Sequence, residues 1–272
     1  MRNFHLFKIL LSAAFVLLIS SCATLSGNGV GRVKHYTVES ERLPESFDGL
    51  RIAFMSDLHF PSKFTPRRLN CLSCKLKEIG ADVVAFGGDY VTDVRSAAEL
   101  FSSFSSLETV YGKFAVPGNH DLRIFDVLRA EAAKAGVRML ADEAVYLSNG
   151  VDSICLVGVY DSFKYQPATE AVIAGVGDEM FTLLLAHTPD FAEDFQAGCD
   201  LALSGHTHGG QVSLFGLYTP VKNTKYGSRF LRGRNYATTG ACVITTNGVG
   251  TSRRKVRFCV PSEIVVVTLR RK

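Results

Sequence analysis

The sequence predicts an α/β fold of layered sheets and helices, with a β-rich C-terminal part. Several short apolar runs lack alternation, which is typical of strands that are buried on both faces. Stretches with helical spacing lie between the first of these runs, and alternating strands and helices favour a sheet covered by helices. After residue 210 the helical spacing disappears, and Gly and Asn turns separate the remaining apolar runs.

The predicted elements follow one another along the chain. Residues 33–39 alternate enough to form a first strand, and six apolar runs predict the next strands: Arg51–Met55, Asp82–Phe86, Lys113–Val116, Ile154–Val159, Phe181–Ala186 and Leu201–Leu203. Helices are predicted at Pro66–Ile79, Ala97–Leu107 and Leu122–Ala135. Gly80 and Gly136 suit the ends of the first and third helices, and Asp121 suits the start of the third. The C-terminal strands are predicted at Val212–Leu217, Ala237–Gly248 and Ile264–Leu269.

The N-terminal residues resemble a bacterial export signal. Positive residues precede an apolar run of 11 residues, Ile9–Ile19, which is too short to span a bilayer comfortably. Ile19-Ser20-Ser21-Cys22 resembles a lipoprotein box, in which the cysteine carries the lipid. We therefore expect a signal peptide over residues 1–21 and a membrane-anchored lipoprotein on the extracytoplasmic side of the bacterial cell envelope. The alternatives are a plain secretory signal or an uncleaved anchor that starts near Phe4.

Composition limits the class of protein. Hydrophobic residues make up 47% of the 272 residues, which is enough apolar material for a large buried core, and charged residues make up 21%. The formal net charge of +4 is too small to indicate a nucleic-acid partner, and none is expected. Cys71 and Cys74 form a C-x-x-C pair, which we interpret as two small buried side chains rather than a redox site.

Polar side chains gather where five of the predicted strands end. Five of the seven histidines are among them, and the full set is Asp57, His59, Asp89, Asn119, His120, Asp121, His187, His206 and His208. In α/β sheets, ligands bind beyond the carboxyl ends of the strands. Any one of these residues could be a turn former, since Asp and Asn favour turns. Imidazoles are not common turn residues, so the whole set indicates a metal site.

The residue types suggest which ions would bind. Carboxylate oxygen, amide oxygen and imidazole nitrogen suit divalent Mn, Fe or Zn. Asp57 and His59 are two residues apart, so an extended chain would point both side chains the same way, and His206 and His208 repeat that spacing. These candidate ligands exceed what one tetrahedral ion needs, so two divalent metal ions are expected.

The order of the motifs resembles the calcineurin-like metallophosphoesterase superfamily. D-x-H, G-D, G-N-H-D, a single H and G-H-x-H follow one another, and the G-H-T-H-G-G-Q stretch is similar to a bacterial membrane-associated or secreted branch. The resemblance implies a β-sandwich flanked by helices. It places the metallophosphoesterase domain at residues 50–272, after a spacer and approach strand at residues 22–49.

The resemblance also implies roles for the candidate residues. Asp57, His59 and His208 would hold one ion, while Asn119, His187 and His206 would hold the other. Asp89 would bridge both ions. His120 would approach the scissile phosphate as a catalytic residue, with Asp121 pairing to it.

The implied activity is hydrolysis of a phosphodiester, phosphomonoester or diphosphate by a hydroxide that bridges two metal ions. The substrate would be a phosphate-containing small molecule or lipid at the cell envelope. One alternative is a UDP-diacylglucosamine-type diphosphatase of lipid A synthesis, and another is a non-catalytic, metal-dependent binding module. The basic residues between Lys222 and Arg234 either line the mouth of the site or form a solvated surface.

Overall fold

A computed structural model of the chain describes Lys8 and residues 23–25, 29–161, 163–164, 167–194 and 198–272. Apart from Lys8, the predicted signal peptide lies outside the described residues, and so does Cys22. No helix in the described ranges is long and apolar enough to cross a membrane.

The described residues form strands and helices that are numbered here along the chain. The strands are β1 (Ala23–Leu25), β2 (Arg32–Ser40), β3 (Arg51–Met55), β4 (Val83–Phe86), β5 (Gly112–Ala115), β6 (Val137–Met139), β7 (Glu143–Ser148), β8 (Ser153–Gly158), β9 (Thr182–Leu185), β10 (Leu201–Ser204), β11 (Gly233–Tyr236), β12 (Cys242–Thr245), β13 (Val256–Phe258) and β14 (Glu263–Arg271). The α-helices are α1 (Pro66–Ile79), α2 (Ala97–Ser102), α3 (Phe125–Lys134), α4 (Pro167–Ala174) and α5 (Asp190–Asp194).

Most of these strands belong to two six-stranded sheets. The first sheet has the order β2-β14-β3-β4-β5-β6, and its strands β3 to β6 are parallel. The second has the order β11-β12-β10-β9-β8-β7, with β8, β9, β10 and β12 parallel. The short strands β1 and β13 pair with each other in an antiparallel ribbon. Parallel strands of both sheets therefore deliver their carboxyl ends to the functional loops.

The two sheets pack face to face and helices cover their outer faces. On β3, Ile52 and Phe54 enter the core between the sheets, while Ala53 and Met55 face the core under the helices. The second sheet alternates in the same way, and a third core lies between it and the helices α4 and α5. Strands buried on both faces explain why the apolar runs lack alternation. The predicted layered α/β fold with a helix-flanked sandwich is confirmed.

Helix α1 shows why its bounds could be predicted. Pro66 occupies the first turn, where its missing N–H costs nothing, and the Thr65 hydroxyl accepts a hydrogen bond from the Arg68 amide. Gly80 ends the helix in the left-handed conformation with φ of 56°. The helix exposes Cys74, so the expectation that both cysteines of the C-x-x-C pair are buried was wrong.

Other predictions differ from the structure in instructive ways. The predicted strand Val212–Leu217 is not a strand, because the chain there turns back on itself through a tight hairpin. The second helix ends at Ser102 rather than Leu107, and the third is preceded by a 3-10 turn at Leu122–Ile124. Strands β1, β6, β7, β11 and β13 and helices α4 and α5 are additional elements. In the segment predicted as spacer and approach strand, β2 pairs with β14 over nine residue pairs.

Candidate metal centre and active site

The candidate ligands lie in loops that follow strands of both sheets. The loops after β3, β4, β5, β9 and β10 carry them, and they are Asp57, His59, Asp89, Asn119, His187, His206 and His208. The structure brings all seven together at one edge of the sandwich. The prediction that these residues are metal ligands gains its geometric basis from this convergence.

The backbone at these positions is unusual. Asp57, His59, Asp89, His206 and His208 all have positive φ, between 49° and 65°. Such conformations are strained for residues other than Gly and cluster at functional sites. The expectation of an extended chain between Asp57 and His59 was therefore wrong, although their side chains do converge. Left-handed turns aim these side chains, rather than the alternation of a strand.

The first donor group consists of Asp57, His59 and His208, all of which are buried. Nε2 of His208 lies 3.3 Å from Oδ1 of Asp57 and 3.3 Å from Nε2 of His59. The three ligand atoms all lie within 4.8 Å of one another. Oδ1 of Asp57 is buried without a hydrogen bond, whereas Oδ2 accepts one from the His206 amide at 3.0 Å. A free, buried carboxylate oxygen that faces an imidazole nitrogen suits a bound cation.

The second donor group consists of Asp89, His187 and His206. Nδ1 of His187 lies 2.6 Å from the Gly87 carbonyl oxygen, so it donates and directs Nε2 toward the site. That Nε2 is 3.2 Å from Oδ1 of Asn119 and 3.5 Å from Oδ2 of Asp89. Nε2 of His187 therefore faces two oxygen acceptors, and a cation bound among these three atoms would satisfy all of them.

Asp89 lies between the two groups. Its Oδ2 is 3.5 Å from Nε2 of His59 in the first group and 3.5 Å from Nε2 of His187 in the second. Burial raises the pKa of the Asp89 carboxyl, but the surrounding histidines, His187 foremost, outweigh burial and hold that pKa below its usual value. The carboxylate is thus ionised and placed to serve both groups, as the bridging role requires.

Burial also sets the charge of the histidines. It lowers the pKa of His208 to about 3 and that of His206 to about 4, so both rings are neutral and able to bind a metal at neutral pH. Burial disfavours the charged form of His187 too, but the Asp89 carboxylate raises its pKa to about 9. A proton on Nε2 of His187 therefore occupies the place that a divalent ion would take.

Carboxylate, amide and imidazole donors in this arrangement fit two divalent ions. The comparisons with known proteins agree. The profile of the family described as calcineurin-like phosphoesterase matches residues 50–210 of this chain.

The chain belongs to the calcineurin-like phosphoesterase family.

Relatives extend this likeness beyond the matched segment. An uncharacterized metallophosphoesterase of Aquifex aeolicus is 31% identical and covers 89% of this chain and 92% of its own length. The uncharacterized metallophosphoesterase YkuE of Bacillus subtilis is 27% identical and covers 93% of each chain. The phosphodiesterase YaeI of Escherichia coli is 35% identical, with 74% of this chain and 75% of its own covered. This chain is accordingly a metallophosphoesterase, an enzyme of a two-metal family.

The residues predicted to be catalytic in this phosphoesterase occupy different surroundings. The side chain of His120 is 61% exposed, and its Nε2 lies 4.0 Å from Oδ2 of Asp89. Asp121 is fully buried, and its carboxylate accepts hydrogen bonds from the backbone amides of Asp89, Tyr90 and Gly118. The resemblance implied that Asp121 pairs with His120, but the described contacts of the carboxylate are these amides. Asp121 therefore clamps the loops after β4 and β5 together.

Close backbone approach explains glycines in the phosphoesterase motifs. A Cβ at Gly118 would lie 2.2 Å from Oδ1 of Asp89, and one at Gly205 would lie 2.5 Å from Oδ2 of Asp57. Both positions therefore need glycine, because the carboxylates of the candidate ligands press against the chain.

Arg257 is a residue that the sequence reasoning missed. Its buried guanidinium donates to the backbone carbonyl oxygens of His208, Asn247, Gly248, Gly250 and Val260, at distances between 2.6 and 3.3 Å. Burial lowers the pKa of Arg257 to about 10, which leaves the group charged at neutral pH. Arg257 thus ties the loop of His208 to the turn at residues 247–250. No sequence signal separates Arg257 from the basic residues Arg253, Arg254 and Lys255 just before it.

The two donor groups border a cavity of about 1160 Å³. His59, Asp89, Asn119, His120, His206 and His208 form part of its wall. Besides Lys225, three cationic side chains, Lys63, Arg123 and Arg253, line the cavity, together with the acids Asp93 and Asp190 and the ring of Phe163. The cavity therefore combines metal donors with outer positive charge, which suits an anionic substrate.

The basic segment between Lys222 and Arg234 contributes less positive charge to the cavity than expected if it lined the mouth of the site. Lys225 lines the cavity, but its ammonium pairs with the Asp194 carboxylate. Arg229 pairs with Glu193 at 2.9 Å. Acids of α5 and its end thus neutralise these cations, and the outer charge of the cavity comes from other loops.

Proposed function

We propose that this enzyme hydrolyses phosphate esters, phosphodiesters first among them, with two divalent ions held by the loops at one edge of its sandwich. One observation carries the proposal: a single oxygen, Oδ2 of Asp89, lies 3.5 Å from an imidazole nitrogen of each donor group. One carboxylate serving two metal groups is the arrangement that a two-metal phosphoesterase needs.

In this proposal Asp57, His59 and His208 hold one ion, Asn119, His187 and His206 hold the other, and Asp89 is shared. Two such ions would act as Lewis acids toward the phosphoryl oxygens and would lower the pKa of water. The protein would keep imidazole donors such as His206 and His208 neutral and the carboxylate donors ionised, and it leaves Oδ1 of Asp57 without a competing hydrogen bond. The lowered pKa values of His206 and His208 and the free Oδ1 of Asp57 support that assignment.

His120 is the group we assign to proton transfer. Its exposed ring faces the cavity, and its backbone amide donates to Oδ1 of Asp89 at 3.0 Å, which fixes the ring close to the donor groups. A protonated imidazole there can hydrogen-bond a phosphoryl oxygen and give its proton to the leaving oxygen. Asp121 acts as a positioning residue, because its carboxylate holds the loops that carry Asp89 and His120.

The preference for diesters rests on a relative. YaeI, which is 35% identical, is named a phosphodiesterase. The cavity of about 1160 Å³ offers room for substituents on both sides of a phosphate. A second candidate is a diphosphate of the UDP-diacylglucosamine type. The three cationic side chains of the outer cavity favour it, since they would face a second phosphate.

We also propose that the enzyme works at the outer face of a bacterial membrane, held there by lipid on Cys22. The lipoprotein-like run that ends at this residue supports the attachment. Mass spectrometry of the mature protein from membranes tests it. We expect an N-terminal peptide that begins with a diacylglyceryl-modified Cys22. A mature chain that begins elsewhere, or that keeps residues 1–21, would contradict it.

The activity is tested on the full chain, purified in detergent and loaded with Mn²⁺. Bis-p-nitrophenyl phosphate, p-nitrophenyl phosphate and a nucleotide-sugar diphosphate are assayed in parallel, and metal content is measured by mass spectrometry. Asp89→Ala should lose both bound metal and turnover. Asp126→Ala, an exposed acid on α3, is the matched control and should keep both. Full turnover by Asp89→Ala would refute the shared-carboxylate arrangement, and preference for the diphosphate would favour the second candidate.

A further inference from the structure

A tight hairpin, residues 213–219, projects from the protein near the active-site cavity. Leu214 and Leu217 close its turn with a backbone hydrogen bond of 2.9 Å, and Leu214 also donates to the Tyr218 carbonyl at 2.8 Å. The two central residues, Phe215 and Gly216, have φ of 53° and 81°. Such a turn normally has Gly, Asn or Asp at both positions, and a phenylalanine there is strained. The protein therefore holds a large apolar ring at the tip in a costly conformation.

The base of this hairpin is held firmly. The Ser213 amide donates to the Phe258 carbonyl at 2.9 Å, and the Ser213 hydroxyl accepts hydrogen bonds from Gly216 and Arg232. Thr219 is buried at the other end and lies 3.2 Å from the same hydroxyl. Because these hydrogen bonds fix the base of the hairpin, its tip is held in an exposed position.

The tip exposes a continuous set of large apolar side chains. Leu217 is 92% exposed and Tyr218 is 60% exposed. We define the apolar face as these two residues together with Leu214, Phe215, Val221 and Val256, each of which is at least 40% exposed. Contiguous exposed apolar groups of this kind mark a surface that contacts something else.

The apolar face adjoins the active site. A groove of about 350 Å³ runs beside it, lined by Val212, Pro220, Val221 and Val256. The groove and the active-site cavity share His208, Asn223, Ser252 and Arg253 in their walls. Whatever covers the apolar face is therefore brought next to the opening of the cavity.

Positive charge borders the apolar face. Arg253, Arg254 and Lys255 are exposed, and none forms an ion pair with a residue in the described ranges. Lys225 and Arg229 differ, because acids of the same protein neutralise them. Unpaired cations next to an apolar tip fit a surface of anionic phospholipid, in which charge lies just above the acyl chains.

The path of the chain points to the same surface. Strand β1 directly follows Cys22 and pairs with β13, with Ala23 opposite Phe258 and Leu25 opposite Val256. Phe258 contacts the ring of Phe215 at the hairpin tip, with 5.9 Å between the ring centroids. The first described strand of the chain, β1, therefore lies beside the apolar face.

We propose that the apolar face and its bordering cations lie on an anionic phospholipid bilayer and place the mouth of the active site at the level of the headgroups. This contact is separate from the N-terminal attachment. It predicts insertion of the hairpin tip whether the N-terminus is lipidated or retained as an apolar anchor.

The chain contains no tryptophan, so one substitution provides a reporter. Leu217→Trp places it at the hairpin tip. Val151→Trp is the matched control, because Val151 is 82% exposed in the turn before β8, at the opposite end of that strand from the site. The full chain is reconstituted in phosphatidylglycerol–phosphatidylethanolamine vesicles with brominated acyl chains. Leu217 lies outside the catalytic machinery, so hydrolysis of bis-p-nitrophenyl phosphate by the Leu217→Trp variant should match the unsubstituted chain.

We expect bromine to quench more than about half of the Leu217→Trp emission, because interfacial apolar groups lie ~5–10 Å inside the boundary. The Val151→Trp emission should be unaffected. Adding Arg254→Gln and Lys255→Gln should weaken the quenching of Leu217→Trp. Equal quenching of the Leu217→Trp and Val151→Trp emission by the brominated lipid would overturn the proposal. So would a blue shift of Leu217→Trp without vesicles that grows with protein concentration, since a second copy of the chain would then cover the face.

Discussion

The two donor groups differ in how deeply their side chains are buried. Asp57, His59 and His208 are all buried, and the Arg257 guanidinium donates a hydrogen bond to the backbone carbonyl oxygen of His208. In the second group His206 is only half-buried, its ring lies against the exposed ring of Phe163, and the neighbouring Asn119 is exposed. The first group is therefore the more closed of the two and the second the more open, although His59 and His208 of the first group also line the cavity.

This difference suggests a division of work. The more closed group should exchange its ion more slowly, because solvent and competing ligands reach a more buried site less readily. Both groups border the cavity, but the open group is the more exposed, so substrate would meet it first. If the two candidate groups hold ions as proposed, the ions should differ in lability, and each can be removed separately.

Removing one histidine from each group gives the largest expected effects. His208→Ala and His206→Ala should both lower turnover by more than about 10³-fold, beyond the loss of a single hydrogen-bond donor to the transition state. In the unsubstituted chain a chelator should remove one ion at least about tenfold faster than the other. His206→Ala should lack the fast ion and His208→Ala the slow one. Release kinetics measured by mass spectrometry decide, and equal rates in the unsubstituted chain would remove the distinction.

His120 provides the next effect, because it borders both donor groups, through His59 and Asp89, without belonging to either. His120→Gln should lower kcat by about 10²–10⁴-fold, the usual contribution of a positioned acid or base. Metal content should stay unchanged, since no donor is lost. Comparing substrates sharpens the test: the loss should be smaller for a leaving group that needs no proton. A variant that retains full activity on every substrate would remove His120 from the mechanism.

The convergence of the candidate site could be predicted from the sequence because strand ends in a parallel sheet meet at one edge. Asp89 and His187 follow strands of different sheets, yet both could be placed from the rhythm of apolar runs. The backbone conformation that orients the side chains could not be predicted, because the left-handed turns at Asp57 and His59 depend on tertiary contacts. The partners of Asp121 were equally inaccessible, since backbone amides leave no trace in a sequence pattern.

The hairpin at residues 213–219 shows a second limit. Its alternation of apolar residues is typical of a strand, and only the positive φ at Phe215 and Gly216 turns it into a surface feature. Burial, which decides between core strand and exposed hairpin, depends on what packs nearby. In the described residues nothing covers the tip, and the apolar pattern alone could not say so.

Substituting Arg257 tests whether metal binding by the closed group depends on the hydrogen bonds that hold the loop of His208. Arg257→Lys keeps the charge but cannot donate to five carbonyl groups at once, because lysine has three donors on one nitrogen. We expect affinity for the slowly released ion to fall by about 10–100-fold, as for other residues that orient metal ligands. Affinity for the fast ion should change little. Equal weakening of both ions would indicate a general loss of folding instead, and thermal unfolding of the metal-free chain is the control.

The basic segment supplies the smallest expected effect. Arg229→Ala removes a cation that Glu193 already pairs at a partly exposed site, and such pairs contribute about 0–1 kcal/mol. Turnover and metal content should therefore stay within about twofold of the unsubstituted chain. Arg253→Ala is the comparison, since this cation lines the cavity without an acidic partner in the described residues. We expect it to raise KM for a diphosphate more than for a diester, because only the diphosphate presents a second charged group to the outer cavity. A larger effect from Arg229→Ala than from Arg253→Ala would return the basic segment to the site.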